Sequence, residues 1–139
     1  MKTIILLLLI GAIAAEEMSV HVVGRFMCHE KPAQFAELKL VDYQPITGAS
    51  DLNKDFFTDV SGHFDMTVSV NQWRKLRPWI YVWHKCHANP AENNDPCWRH
   101  IQIKVPEIQV QKGIFPTRTW NMGEFPLDLA QGQEEWCSG

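Results

Sequence analysis

Alternation of apolar and polar residues with a period of two recurs along this chain, and it constrains the fold more than any other feature. In an extended strand every second side chain falls on the same face. "AELKL" groups Ala36, Leu38 and Leu40. "FDMTVSV" groups Phe64, Met66, Val68 and Val70, leaving Asp65, Thr67 and Ser69 on the opposite face. "IQIKV" repeats the pattern with Ile101, Ile103 and Val105, and "SVHVVGRF" reads as a strand of weaker alternation. In "PWIYVWH" both faces are apolar, Trp79, Tyr81 and Trp83 against Ile80 and Val82, which predicts a central strand covered on both sides. Turn formers separate these runs: "HEKPA", "QPITGASDLNKD", "VSG" and "NPAENNDP". No long segment carries a helical period. The pattern predicts an all-β chain folded as a two-sheet antiparallel β-sandwich of about seven strands. It is weakest from Pro106 to Pro116, where prolines and Gly113 interrupt it.

One connection carries its own mechanism. In "FFTDVSGHFDM", Asp59 is placed to accept hydrogen bonds from backbone amides two residues on, and Gly62 to supply the positive φ of a tight turn. The oxygen-ligand series of an EF-hand is missing, so a structural turn is expected rather than a calcium loop.

The N-terminus bears on compartment. Lys2 precedes an apolar run, Ile4 to Ile10, and the small residues "GAIAA" with an A-x-A step at Ala12 and Ala14. This is the order of a secretory signal, and the run is short of the roughly 20 residues a membrane span needs. The expected organisation is a signal peptide over 1–15 and one domain over 16–139, secreted to the extracellular space, with no transmembrane segment. Loss of Lys2 turns the 13 basic and 16 acidic residues into 12 and 16, a net charge of −4. Without a basic run, nucleic acid is not an expected partner. Four cysteines, Cys28, Cys86, Cys97 and Cys137, lie in the mature part. An even count in an oxidising compartment predicts two disulfides. No N-x-S/T acceptor occurs.

In this order the segments "VVGRFMCHEKPA", "AELKLVD", "TDVSGHFDM", "PWIYVWHKC", "PCWRHIQIKVP", "WNMGEFPLDL" and the terminal "EEWC" resemble the transthyretin-like family of secreted nematode proteins. The resemblance spans most of the mature chain, with four cysteines in matching places. It implies a prealbumin (transthyretin)-like sandwich and export, and leaves activity open, because one fold hosts many functions.

The densest cluster of reactive residues is "IYVWHKCHANPAENNDPCWRHIQI", Ile80 to Ile103. Zinc would accept sulfur and imidazole from His84, Cys86, His87, Cys97 and His100. Against this stand the missing C-x₂-C spacing, the oxidising compartment and the disulfide role that the resemblance gives these cysteines, so neither metal nor cofactor is expected. Four cysteines admit three pairings. Cys86 and Cys97 flank a ten-residue loop between predicted neighbouring strands, so the expected pair is Cys86–Cys97, which leaves Cys28 for Cys137.

For function, the expectation is a non-enzymatic extracellular binding or signalling protein that recognises a protein or cell-surface partner. Its candidate surface is Trp73 with Arg74, Lys75 and Arg77, since an exposed tryptophan beside cations is a common interface anchor. An alternative is carriage of a small hydrophobic ligand. A hydroxyisourate hydrolase-like enzyme stands third: His21 in "SVHVV" superficially resembles that family's first strand, but its Y-R-G-S terminus is absent here. No G-x-S-x-G, H-E-x-x-H or phosphate loop occurs, and no catalytic residue is assigned.

Overall fold

The computed structural model describes residues 14–53, 55–92, 97–130 and 132–137. Residues 1–13 of the expected leader and 93–96 of the "NPAENNDP" loop lie outside them. The strands in chain order are β1 (Glu16–Cys28), β2 (Lys31–Pro32), β3 (Glu37–Gln44), β4 (Gly48–Asp51), β5 (Phe56–Phe57), β6 (His63–Gln72), β7 (Pro78–His84), β8 (Cys97–Lys104), β9 (Gln111–Lys112), β10 (Trp120–Pro126) and β11 (Glu134–Cys137). Six of them, β1, β3, β6, β7, β8 and β10, are seven residues or longer. The others are short additions at edges and turns.

Two sheets form. In the first, β1 pairs antiparallel with β6 from Glu16↔Gln72 to Arg25↔His63, and β2 and β9 add short antiparallel pairings. β10 runs parallel to β1, from Val22↔Trp120 to Met27↔Pro126, with a shift of register near Val23 to Arg25. Among the described residues, the otherwise antiparallel sandwich therefore contains one parallel pair. The second sheet has the order β11-β8-β7-β3-β4, with β5 also on β3.

The alternation becomes the core. From the first sheet Val20, Val22, Phe26, Phe64, Met66 and Val68 turn inward, and from the second Leu38, Leu40, Ile80, Val82 and Ile101. Phe26 stacks on Phe64 at 5.1 Å between ring centroids and meets Phe125 edge-on at 5.7 Å. Ring pairs of this kind add specificity to simple area burial. β7 is central within its sheet, flanked by β3 and β8. Its second apolar face is only half-buried, contrary to the expected cover on both sides. There Tyr81, Trp83 and His100 shield one another, with His100 stacked on Trp83 at 4.6 Å. The region after Pro106 forms a 3₁₀ turn at Glu107–Gln109 and the short β9.

The turn at Asp59 forms as its residues predict. The Asp59 carboxylate accepts from the amides of Ser61 and His63, both at 2.9 Å, and Gly62 has φ +77°.

Candidate functional site

The histidine- and cysteine-rich stretch does not staple its own hairpin. Cys86 bonds to Cys28, 58 residues away, with α-carbons 5.8 Å apart. This overturns the expected Cys86–Cys97 and Cys28–Cys137 pairs. β7 ends at His84, so Cys86 lies beyond the strand, where the chain turns toward the end of β1. Cys97 is itself disulfide-bonded, and backbone register sets Cys137 opposite it on β11. The C-terminal segment thus lies along β8 as an edge strand and does not return to Cys28.

The imidazoles of this stretch are engaged in the fold. His84 Nδ1 accepts from the Cys86 amide at 2.9 Å, so Nε2 carries the proton and donates to Gln133 Oε1 at 2.8 Å. Burial pushes its pKa from 6.5 down to about 4, which leaves the ring neutral at pH 7. His100 is shifted down by the same cause, and its Nδ1 donates to the Val82 carbonyl at 3.0 Å. Among the described residues, the donors Cys28, His29 and Cys86 converge within 4.8 Å of one another. Both sulfurs are spent in the disulfide, and His29 Nε2 donates to the His87 carbonyl at 2.6 Å. The set offers no thiolate pair for zinc while the bond is intact.

His21 sits in a line of hydrogen bonds across three segments. Asp65 Oδ1 accepts from His21 Nε2 at 2.6 Å, which leaves Nδ1 to accept from the Thr119 hydroxyl at 2.7 Å. The line ties β1 to β6 and to the entry of β10. Asp65 is largely exposed, its side chain at 69 %.

The Trp73 loop shows how the fold presents a side chain. Leu76 is fully buried and plugs the loop into the core. Buried Asp42 clamps it from below, accepting from the Arg77 amide at 3.0 Å and from Gln44 and Gln72 at 2.8 and 3.2 Å. Gln44 and Gln72 also donate to the Lys75 and Arg74 carbonyls, each at 3.0 Å. With its backbone fixed in this way, Trp73 points outward and is 78 % exposed. The Arg74 guanidinium lies 6.0 Å from the Trp73 ring and donates to Thr47 at 3.4 Å. That bond brings alongside it the turn holding Ile46, which is 98 % exposed. Glu107 pairs with Lys75 at 3.2 Å and with Arg77 at 4.0 Å, and Lys75 holds the Glu107 carboxyl below its ordinary value. Trp73, Arg74, Lys75 and Arg77 therefore share one end of the sandwich. Sequence reading missed Ile46; its signal was a large apolar residue inside the turn "QPITGAS".

Two of the grooves among the described residues lie elsewhere on the sandwich. One, of about 540 Å³, runs past Phe57, Arg25 and Glu124, but its charges are satisfied internally. Arg25 donates to Glu124 at 3.2 Å and to the Ser61 carbonyl at 2.7 Å, and Asp59 serves its own turn. The other, of about 470 Å³, lies beside the Cys28–Cys86 bond, where Phe35, Lys31, Lys85 and Trp98 meet. Sequence reading did not single out these four. Phe35 shares a strand parity with Glu37 and Lys39, and an apolar residue on that polar face was the available signal.

Comparison with known proteins agrees with the residues. A model of the transthyretin-like family (TTR-52) matches residues 23–106, from within β1 to just past β8. Transthyretin-like protein 5 of Caenorhabditis elegans is 30% identical over 130 residues, covering 91% of this chain and 91% of its own. Transthyretin-like protein 1 of that organism is 29% identical over 129 residues, covering 86% and 80%. Among solved structures (S)-allantoin synthase overlays with a TM-score of 0.46 and 10% identity, covering 96% of this chain and 48% of that one, too slight a likeness to bear on activity. The family match spans most of the sandwich, and the chain belongs to the transthyretin-like family.

Proposed function

We propose that this chain is a secreted, non-enzymatic extracellular binding or signalling protein, and that the Trp73 loop recognises a protein or cell-surface partner. The observation that carries the reading is a tryptophan 78 % exposed on a loop whose backbone is clamped by buried Asp42. An apolar ring held rigidly in water is a cost that a partner repays, and tryptophan and arginine are enriched where such contacts dominate binding. Arg74, Lys75 and Arg77 beside it, their charge offset in part by Glu107, favour an acidic counterpart, which they would attract before contact. Export is supported by the charge, apolar run and A-x-A step of residues 1–15.

The test is expression of the full chain in eukaryotic cells, with the medium assayed for protein processed near Ala15. The purified protein is then scored for binding to intact cells and for cross-linked surface proteins. Trp73→Ala with Arg77→Ala is expected to leave the circular dichroism and melting curve unchanged and to reduce cell binding at least about tenfold. Undiminished binding by this folded variant would remove the loop from the interface, and retention inside the cell would remove the export reading. One observation favours a second reading, carriage of a small hydrophobic ligand: the groove beside the Cys28–Cys86 disulfide.

A further inference from the structure

That groove narrows the class of ligand. Its volume of about 470 Å³ lies inside the roughly 300–1,000 Å³ typical of small-molecule sites. Pro32, Ala33, Ala36, Trp98 and the disulfide give it apolar walls, and Leu127, fully buried, backs it. Lys31 and Lys85 join them, and there is no carboxylate among its described lining residues. In a chain of formal net charge −3, an apolar groove with two cations selects an apolar acid over a neutral compound of the same size. The Lys85 ammonium stands 4.7 Å from the Trp98 ring centroid, a cation–π contact that keeps it at the rim. His84, which also lines the groove, is neutral at pH 7 and adds no charge.

Phe35 is the feature that packing within the fold leaves unexplained. It is 61 % exposed, and its backbone sits at φ +57°, a region that L-residues with bulky side chains rarely enter. The conformation is imposed from below by Thr58. The Thr58 hydroxyl donates to the Ala33 carbonyl at 2.7 Å and accepts from the Ala36 amide at 2.9 Å, while the Phe35 amide donates to the Thr58 carbonyl at 3.2 Å. The loop is thus fastened on both sides of Phe35, and the ring is held at the groove rather than in the core. A glycine would fit this backbone without strain, so the ring is what the position retains.

We infer that this groove binds a long-chain fatty acid, its hydrocarbon chain against Phe35 and Trp98 and its carboxylate met by Lys31 and Lys85. The inference deepens the carrier reading and rests on it. It is independent of the Trp73 loop, which lies on other elements.

The test uses the full secreted protein and a fluorescent probe, dansyl-undecanoic acid, displaced by oleate or by oleyl alcohol below their solubility limits. Displacement by oleate at concentrations at least about tenfold lower than oleyl alcohol is expected. Lys31→Glu with Lys85→Glu, both exposed positions, should remove that preference and leave the melting temperature in place. Phe35→Gly should weaken oleate about tenfold or more while leaving the fold equally or more resistant to heat, because it relieves the backbone. Equal displacement by acid and alcohol would overturn the fatty-acid assignment and leave a neutral hydrophobic carrier standing. Failure of the probe to bind would sink both. Loss of probe binding as protein concentration rises, with a dimer in sedimentation, would assign the groove to a second copy of the chain and overturn the inference. So would probe binding that Trp73→Ala abolishes.

Discussion

His84 is a buried base held in its neutral form, and that makes it sensitive to acid. Its Nδ1 accepts the Cys86 amide and its Nε2 donates to Gln133, so an added proton would break the first bond and charge a ring that is 3 % exposed. Burial brings the folded pKa from 6.5 to about 4. Above about pH 6.5 the ring is neutral in both folded and unfolded chains, and its stabilising contacts are fully present. Between about pH 6.5 and 4 the unfolded chain binds the proton and the folded chain does not, so stability falls as the pH falls. A shift of this size corresponds to about 3 kcal/mol once the window is crossed. The downward shift of His100, also led by burial, acts in the same sense. Urea denaturation at pH 7 and pH 4.5 of the parent chain and of His84→Gln isolates the effect. The variant should lose about 2–3 kcal/mol less than the parent on acidification. Equal losses would show that the folded protein accommodates the imidazolium.

The turn between β5 and β6 shows at the level of elements why parts of this fold could be read in advance. Gly62 carries φ +77°, and a β-carbon there would meet the Phe26 carbonyl oxygen at 2.4 Å and the Ala33 amide at 3.1 Å. Those two groups hydrogen-bond to each other, and the Phe26 amide donates to the Gly62 carbonyl, so no flexible side chain can give way. Gly62→Ala is therefore expected to destabilise the domain by about 3 kcal/mol, from positive φ and backbone clash together. Chemical denaturation checks this, and a loss below about 1 kcal/mol would mean that the turn readjusts. Asp59 and Gly62 were legible because their chemistry acts within four residues. The faces of β3 and β6 were legible because alternation is local as well. The parallel pairing of β1 with β10 was not, since pleat and periodicity are the same for either strand direction. Nor was the positive φ at His29 and Glu30 in the β1–β2 turn, of 50° and 65°, where the glycine or asparagine that signals such a turn is replaced. Distant contacts hold that turn instead: the His29 amide donates to Asp128 at 3.0 Å and the ring reaches the His87 carbonyl. The fatty-acid groove escaped for the same reason, its walls coming from segments far apart in sequence.

For the molecule as a whole, what matters about the Cys28–Cys86 bond is that it joins the two sheets. Cys28 ends β1 of the first sheet, and Cys86 follows β7 of the second. A bridge from Cys86 to Cys97 would have closed a loop between strands already paired within one sheet, leaving the joining of the layers to a Cys28–Cys137 bond at the C-terminal edge strand. Distance along the chain favoured that pairing, but which cysteines meet depends on how the sheets stack. Closing a loop with a sequence separation of 58 removes more freedom from the unfolded chain than closing a ten-residue one, about 4 kcal/mol in the chain-entropy account. The same bond forms a wall of the groove and fixes the start of the strained turn at His29. Its loss should therefore be felt in stability and in ligand binding together. Non-reducing peptide mapping is expected to recover Cys28–Cys86 in one linked peptide and Cys97–Cys137 in another. Cys28→Ala with Cys86→Ala should lower stability by about 4 kcal/mol and weaken displacement of the fatty-acid probe by oleate. Cys97→Ala with Cys137→Ala acts on an edge strand along β8, away from the sheet-to-sheet contact but next to Trp98 of the groove, and should weaken oleate binding less than the first pair does. If both pairs of substitutions weaken oleate equally, the groove depends on the general rigidity of the sandwich. If the first weakens it more, the staple between the sheets is what holds the site in shape.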